Sequence, residues 1–148
     1  MDIAFQQFYR GNSEQWLAGL PYHEAGPQLL LQAFLQRIVN GGGQIHREYG
    51  LGRGRTDLLV VWPVTGKGRV DTQRIVLELK AIGGPRWKGS VDTAIQKGLE
   101  QTSEYMDRCD ASAGHLLLFD RDPEKTWDQK VWQREESANG RLITVWGL

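Results

Sequence analysis

Ile75-Val76-Leu77-Glu78-Leu79-Lys80 is the stretch on which the fold turns. Its aliphatic residues read as a strand, and a period of two sends Ile75, Leu77 and Leu79 to one face and Glu78 and Lys80 together to the other. Charged side chains seldom sit inside a core strand. Here a carboxylate and an ammonium share a face, two residues apart. Upstream, Asp57-Leu58-Leu59-Val60-Val61-Trp62 is apolar at every position after Asp57, the pattern of a central strand covered on both faces. Residues 63 to 70 read as the turn between the two, which makes them antiparallel and lets Asp57 lie beside the end of the Glu78 strand.

Working outward, residues 44 to 49 read as a third strand, followed by a bend that Gly50, Gly52 and Gly54 permit. Before it, Leu30, Leu31, Phe34, Leu35, Ile38 and Val39 recur at spacings of three and four, which predicts a helix from about Glu24 with Pro27 in its first turn. Gly41-Gly42-Gly43 ends that helix. After the lysine strand, Gly83-Gly84-Pro85 breaks the chain. A second helix is expected from a Ser90 cap to Arg108, with Ile95, Leu99 and Met106 on its inner side. His115 to Phe119 and Leu142 to Trp146 read as two more strands. The crossover through the second helix makes the strands at 74–80 and 115–119 parallel. The expected order is helix, three strands, helix, strand, strand. That describes an α/β fold: a mixed sheet with a helix on each face over residues 21–148, and an N-terminal helical extension over residues 1–20 carrying Phe5, Phe8, Tyr9, Trp16 and Leu17.

The 148 residues suit one domain, and 40% hydrophobic composition with six Trp excludes a disordered tail or a fibrous protein. No apolar run approaches the roughly 20 residues that span a bilayer, and Met1-Asp2-Ile3 begins nothing like a signal peptide, so a cytoplasmic protein without a membrane partner is expected. A single cysteine, Cys109, leaves no internal disulfide and no thiolate zinc cluster. Eighteen basic residues balance eighteen acidic ones, yet residues 47–97 carry ten basic against five acidic and residues 98–136 five against ten. The first block suits a local basic surface for an anionic partner. The other reading is a solvated face that the acidic block balances after folding.

Asp57, Glu78 and Lys80 converging at a strand end suit a hard divalent cation and a water nucleophile. Mg²⁺ takes oxygen ligands, which Asp57, Glu78 and the backbone carbonyl of Leu79 can supply in part, and Lys80 can orient or deprotonate the water and neutralise charge developing on phosphorus. The plainer alternative is a surface Glu78–Lys80 ion pair with Asp57 capping a turn. Trp87, between Arg86 and Lys88 in a Gly/Pro loop, can stack on a splayed base or fold back on the core. No Gly-x-x-x-x-Gly-Lys-Ser/Thr loop is present, and Gly50-Leu51-Gly52-Arg53-Gly54 precedes a strand rather than a helix, which excludes P-loop and dinucleotide fingerprints. His23, His46 and His115 lack the spacing of metal ligands.

Gly54-Arg55-Thr56-Asp57-Leu58-Leu59 followed by Val76-Leu77-Glu78-Leu79-Lys80 resembles the bipartite signature of the PD-(D/E)XK nuclease superfamily, with Thr56 where the named motif has Pro. More narrowly, Arg47-Glu48-Tyr49-Gly50, Glu100-Gln101-Thr102-Ser103-Glu104-Tyr105 and Gly114-His115-Leu116-Leu117-Leu118-Phe119-Asp120 resemble the nuclease-like C-terminal domain of prokaryotic AAA-type ATPase-like proteins. The resemblance implies a restriction-endonuclease-like αβββαβ core and Mg²⁺- or Mn²⁺-dependent hydrolysis of nucleic acid, DNA in the first instance. It implies Asp57 and Glu78 as metal-binding acids, Lys80 as the catalytic lysine, Glu24 as an additional carboxylate and Gln101 as a helix residue facing the site. Arg53, Arg55, Arg86, Trp87 and Lys88 are the candidate nucleic-acid contacts. An AAA-type ATPase module, in cis or in trans, and a second copy of the chain are the expected protein partners. The superfamily also holds members that bind or scaffold without cutting, so the alternative is a catalytically silent fold serving an ATPase system as a nucleic-acid-binding or protein-interaction module.

Overall fold

The computed structural model describes Gln6, Gln7, Arg10, Leu31, Leu35 and residues 42–49, 56–66, 68–85 and 87–148. From residue 42 on, the described residues form six strands and two helices: β1 (Gln44–Tyr49), β2 (Thr56–Gly66), β3 (Arg69–Ile82), α1 (Val91–Cys109), β4 (Ala113–Asp120), α2 (Trp127–Lys130), β5 (Trp132–Ala138) and β6 (Arg141–Gly147). They build one mixed α/β sheet in the order β1-β2-β3-β4-β6-β5. β1, β2 and β3 pair antiparallel, as their short connections require, and β3, β4 and β6 run parallel.

Each face of the sheet carries its own apolar cluster. Leu58, Val60, Leu77, Leu117 and Phe119 pack with the helical Leu31 and Leu35 on one side. Leu59, Val76, Ile82, Leu116 and Leu118 pack with Ile95, Leu99 and Met106 of α1 on the other. The alternation is the period of two at work, and each fully buried aliphatic or aromatic side chain is worth about 1.5–3 kcal/mol. α1 starts where Ser90 Oγ accepts the Thr93 amide at 3.1 Å and stops at Asp110, which takes a left-handed conformation with φ 51°. Gln6 reaches the far edge, where Nε2 donates to Trp132 O at 3.3 Å and to Gly147 O at 2.9 Å.

Two sequence expectations need correction. Residues 63–70 are not all turn: β2 and β3 continue as a hairpin to Gly66 and Arg69, with Gly68 at φ 77° in the connection. The strand β5 was not expected at all, because Trp-Gln-Arg-Glu-Glu-Ser-Ala reads as a solvated loop. It is an edge strand whose exposed charges discourage further pairing, and that purpose conceals its strand character. The signal that exposes it is Asn139-Gly140 between the paired Ala138 and Arg141, with φ 51° and 75°, both positive as a two-residue type I′ turn demands.

Candidate active site at the end of the β2–β3 ladder

Antiparallel register sets Asp57 directly opposite Glu78, and this is the last pair of the ladder. Beyond it β3 runs on through Leu79, Lys80, Ala81 and Ile82 with β4 alone, Leu79 opposite Leu117 and Lys80 opposite Leu118. Directly opposed residues of an antiparallel pair share a face. That face is the α1 side, since Val76 and Ile82, in step with Glu78, belong to the α1 cluster. This pair of positions thus lies where one neighbour of β3 leaves off, near the carboxyl ends of parallel strands, the usual place for a site in an open α/β sheet.

Glu78 is the decisive residue. It is 0% exposed, and both of its carboxylate oxygens are buried without a hydrogen-bond partner. An ionised carboxylate left unpaired in a dry interior costs several kcal/mol, so the side chain either takes up a proton or gains a cation. Two residues on, about 7 Å along the strand, Lys80 shares its face and is half-buried. A methyl group added at Gly98 would lie 3.2 Å from Lys80 Cε and 2.7 Å from both Leu116 methyls. The lysine stem therefore runs past α1 where the helix carries no side chain. Three residues further along α1, Gln101 has its Oε1 buried and unpartnered. Thr102 instead closes on its own helix, its hydroxyl donating to Gly98 O at 2.7 Å.

These oxygens fit a hard cation, which takes carboxylate, amide and carbonyl ligands. Glu78 and the Leu79 carbonyl just past the last ladder pair would be the groups to hold one, with Gln101 on α1 and position 57 opposite Glu78 in register. Among the described residues no three His, Cys, Asp or Glu side chains gather; the side chain of Asp57 and all of Glu24, Arg53, Arg55 and Arg86 lie outside them. Of the other candidates, Lys88 is exposed, while Trp87 is half-buried against the α1 cluster with its amide donating to Gly84 O at 3.2 Å. Sequence reasoning overlooked Gly98. Its signal was an isolated glycine inside an amphipathic helix, where it costs about 1 kcal/mol against Ala and so wants a packing reason.

No helix among the described residues is long and apolar enough to cross a membrane. Compared with known protein families, with curated proteins and with solved structures, the chain finds no match.

Proposed function

We propose that the chain is a divalent-metal-dependent nuclease domain of the PD-(D/E)XK type, with a restriction-endonuclease-like core, that hydrolyses phosphodiester bonds in DNA as a module of an AAA-type ATPase system. The observation that carries this reading is the buried, unpartnered Glu78 carboxylate opposite Asp57 at the end of a ladder. The order of helical Leu31 and Leu35, three antiparallel strands, α1 and a parallel β4 supports the αβββαβ core. The lysine two residues beyond the second acid supports it further.

In this mechanism Mg²⁺ or Mn²⁺, when bound, polarises the phosphodiester and lowers the pKa of the attacking water. Asp57, Glu78 and the Leu79 carbonyl concentrate negative charge and lone pairs at one end of β3. Lys80 carries its ammonium along α1, where it neutralises charge developing on phosphorus and orients or deprotonates the water. Gln101 donates or accepts at the same turn of helix, and Glu24 completes the carboxylate set. Lys88 and the basic residues Arg53, Arg55 and Arg86 meet flanking phosphates.

Incubation with single-stranded, duplex and branched DNA in Mn²⁺ tests the proposal. Wild type is expected to cleave at least one of the three, and Lys80→Ala or Asp57→Ala/Glu78→Ala to lose about 10²-fold or more of the rate, as removal of a charge-stabilising group does elsewhere. A wild-type protein that binds DNA and cuts none of them is instead a silent binding module.

A further inference from the structure

We propose that a crevice beyond the end of β3, walled by Trp87, is a pocket for one unpaired nucleobase, so that the preferred substrate is DNA with a frayed or single-stranded nucleotide beside the scissile phosphate. The inference rests on the nuclease reading and adds a substrate class to it.

The crevice measures about 430 Å³, within the range of small-molecule sites, and is lined among others by Ile82, Gly83, Trp87, Val91, Asp120 and Asp122. Its floor is apolar, with Ile82 only 4% exposed, and Trp87 supplies an aromatic wall. Its polar side is fixed in place. Asp120 Oδ2 accepts from Lys125 Nζ at 2.7 Å, and its Oδ1 accepts the Asp122 amide at 3.0 Å. Asp122 Oδ1 accepts the Glu124 amide at 3.0 Å, and the residue lines the crevice. Gly83 holds the two loops together: at φ 72°, a methyl group there would come within 2.6 Å of Asp120 Oδ1 and 2.9 Å of the Asp122 amide nitrogen.

An apolar crevice with an aromatic wall and carboxylates at its polar side suits a heteroaromatic ring bearing N–H donors. It offers a phosphate little, because its lysine, Lys125, is already paired with Asp120 and the other charges lining it, Asp122 and Glu124, are acidic. Position makes the ring a nucleobase. Glu78, Lys80 and Ile82 are successive same-face residues of β3, each about 7 Å from the last, so the crevice opens one step beyond the lysine that serves the scissile phosphate. One nucleotide spans that step. A base still paired in a duplex cannot enter, whereas an unpaired one stacks on a tryptophan at little cost.

The test uses Lys80→Ala protein and duplexes carrying 2-aminopurine either unpaired at a single-stranded end or paired in the interior. Binding is expected to quench the unpaired probe severalfold and to favour the open end about tenfold over a blunt duplex, as one stacked base does. Trp87→Leu is expected to abolish both effects. Asp122→Ala, which leaves the tryptophan packing intact, is expected to reduce the preference about fivefold. DNA binding with no preference for the open end, or with quenching unchanged in both variants, overturns the pocket and leaves the nuclease reading standing. Folded protein that binds neither duplex overturns the nuclease reading, and the pocket falls with it.

Discussion

At the scale of the residue, a carboxyl group has been sealed where water cannot reach it. Glu78 at 0% exposure lowers the stability of the metal-free protein unless a cation joins it, so Glu78→Gln is expected to melt no lower than wild type in chelator. Saturating Mn²⁺ is expected to reverse the order, raising the wild type by about 2.7 kcal/mol at 100 times the dissociation constant and leaving Glu78→Gln unmoved. Thermal melts of the two proteins with and without metal check this, and equal rises would remove Glu78 from the cation site. Gly98 makes a second residue-scale prediction. Gly98→Ala puts a methyl group against Lys80 Cε and the Leu116 methyls, and is expected to slow cleavage at least tenfold with little change in DNA affinity. Gly98→Ala/Leu116→Val, which relieves the leucine clash alone, is expected to recover melting temperature without recovering rate. The face shared by Glu78 and Lys80 was legible in the sequence, because strand alternation is local. The space that Lys80 occupies was not, because it depends on a helix that follows eleven residues later.

At the scale of the element, loops and turns carry much of the specification. The turn between β5 and β6 holds Gly140 at φ 75° with nothing near its missing side chain, so Gly140→Ala meets backbone strain alone. It is expected to cost about 1–2 kcal/mol in chemical denaturation, and Gly140→Asn less, since Asn tolerates that region. The β4–α2 loop is tied by Lys125, whose pKa is raised above its ordinary value by the hydrogen bond to Asp120, against a smaller opposing effect of burial. A lysine held high stabilises the fold at every pH below its ordinary pKa and loses that contribution as pH climbs through the raised one. Lys125→Met is therefore expected to lower the melting temperature at neutral pH, where that contribution is fully present, and to flatten the alkaline fall above pH 10. A full alkaline fall in the variant would assign it to other groups. The strand β5 escaped sequence reading because an edge strand is built to look solvated.

At the scale of the whole molecule, the neutral total charge conceals the excess of ten basic over five acidic residues in the segment that holds Asp57, Glu78, Lys80 and Trp87. DNA affinity is expected to fall with salt at a log–log slope of about −2 to −3, the release from three or four phosphates of a single strand. A slope near zero would leave the contact to the base pocket and its hydrogen bonds.

The sequence by itself determined five of the six strands in outline, where α1 begins, that β3 and β4 run parallel, and that an acid and a lysine share a face. Each follows from a period, a cap or a crossover rule acting within about forty residues. Only the tertiary structure decided that Asp57 opposes Glu78, that the Glu78 carboxylate is dry and unpartnered, that β6 lies between β4 and β5, and that loops near residues 83–87 and 120–125 meet to enclose a crevice. Register, desolvation and cavity shape belong to pairs of segments distant in the chain, and they have no value until those segments touch.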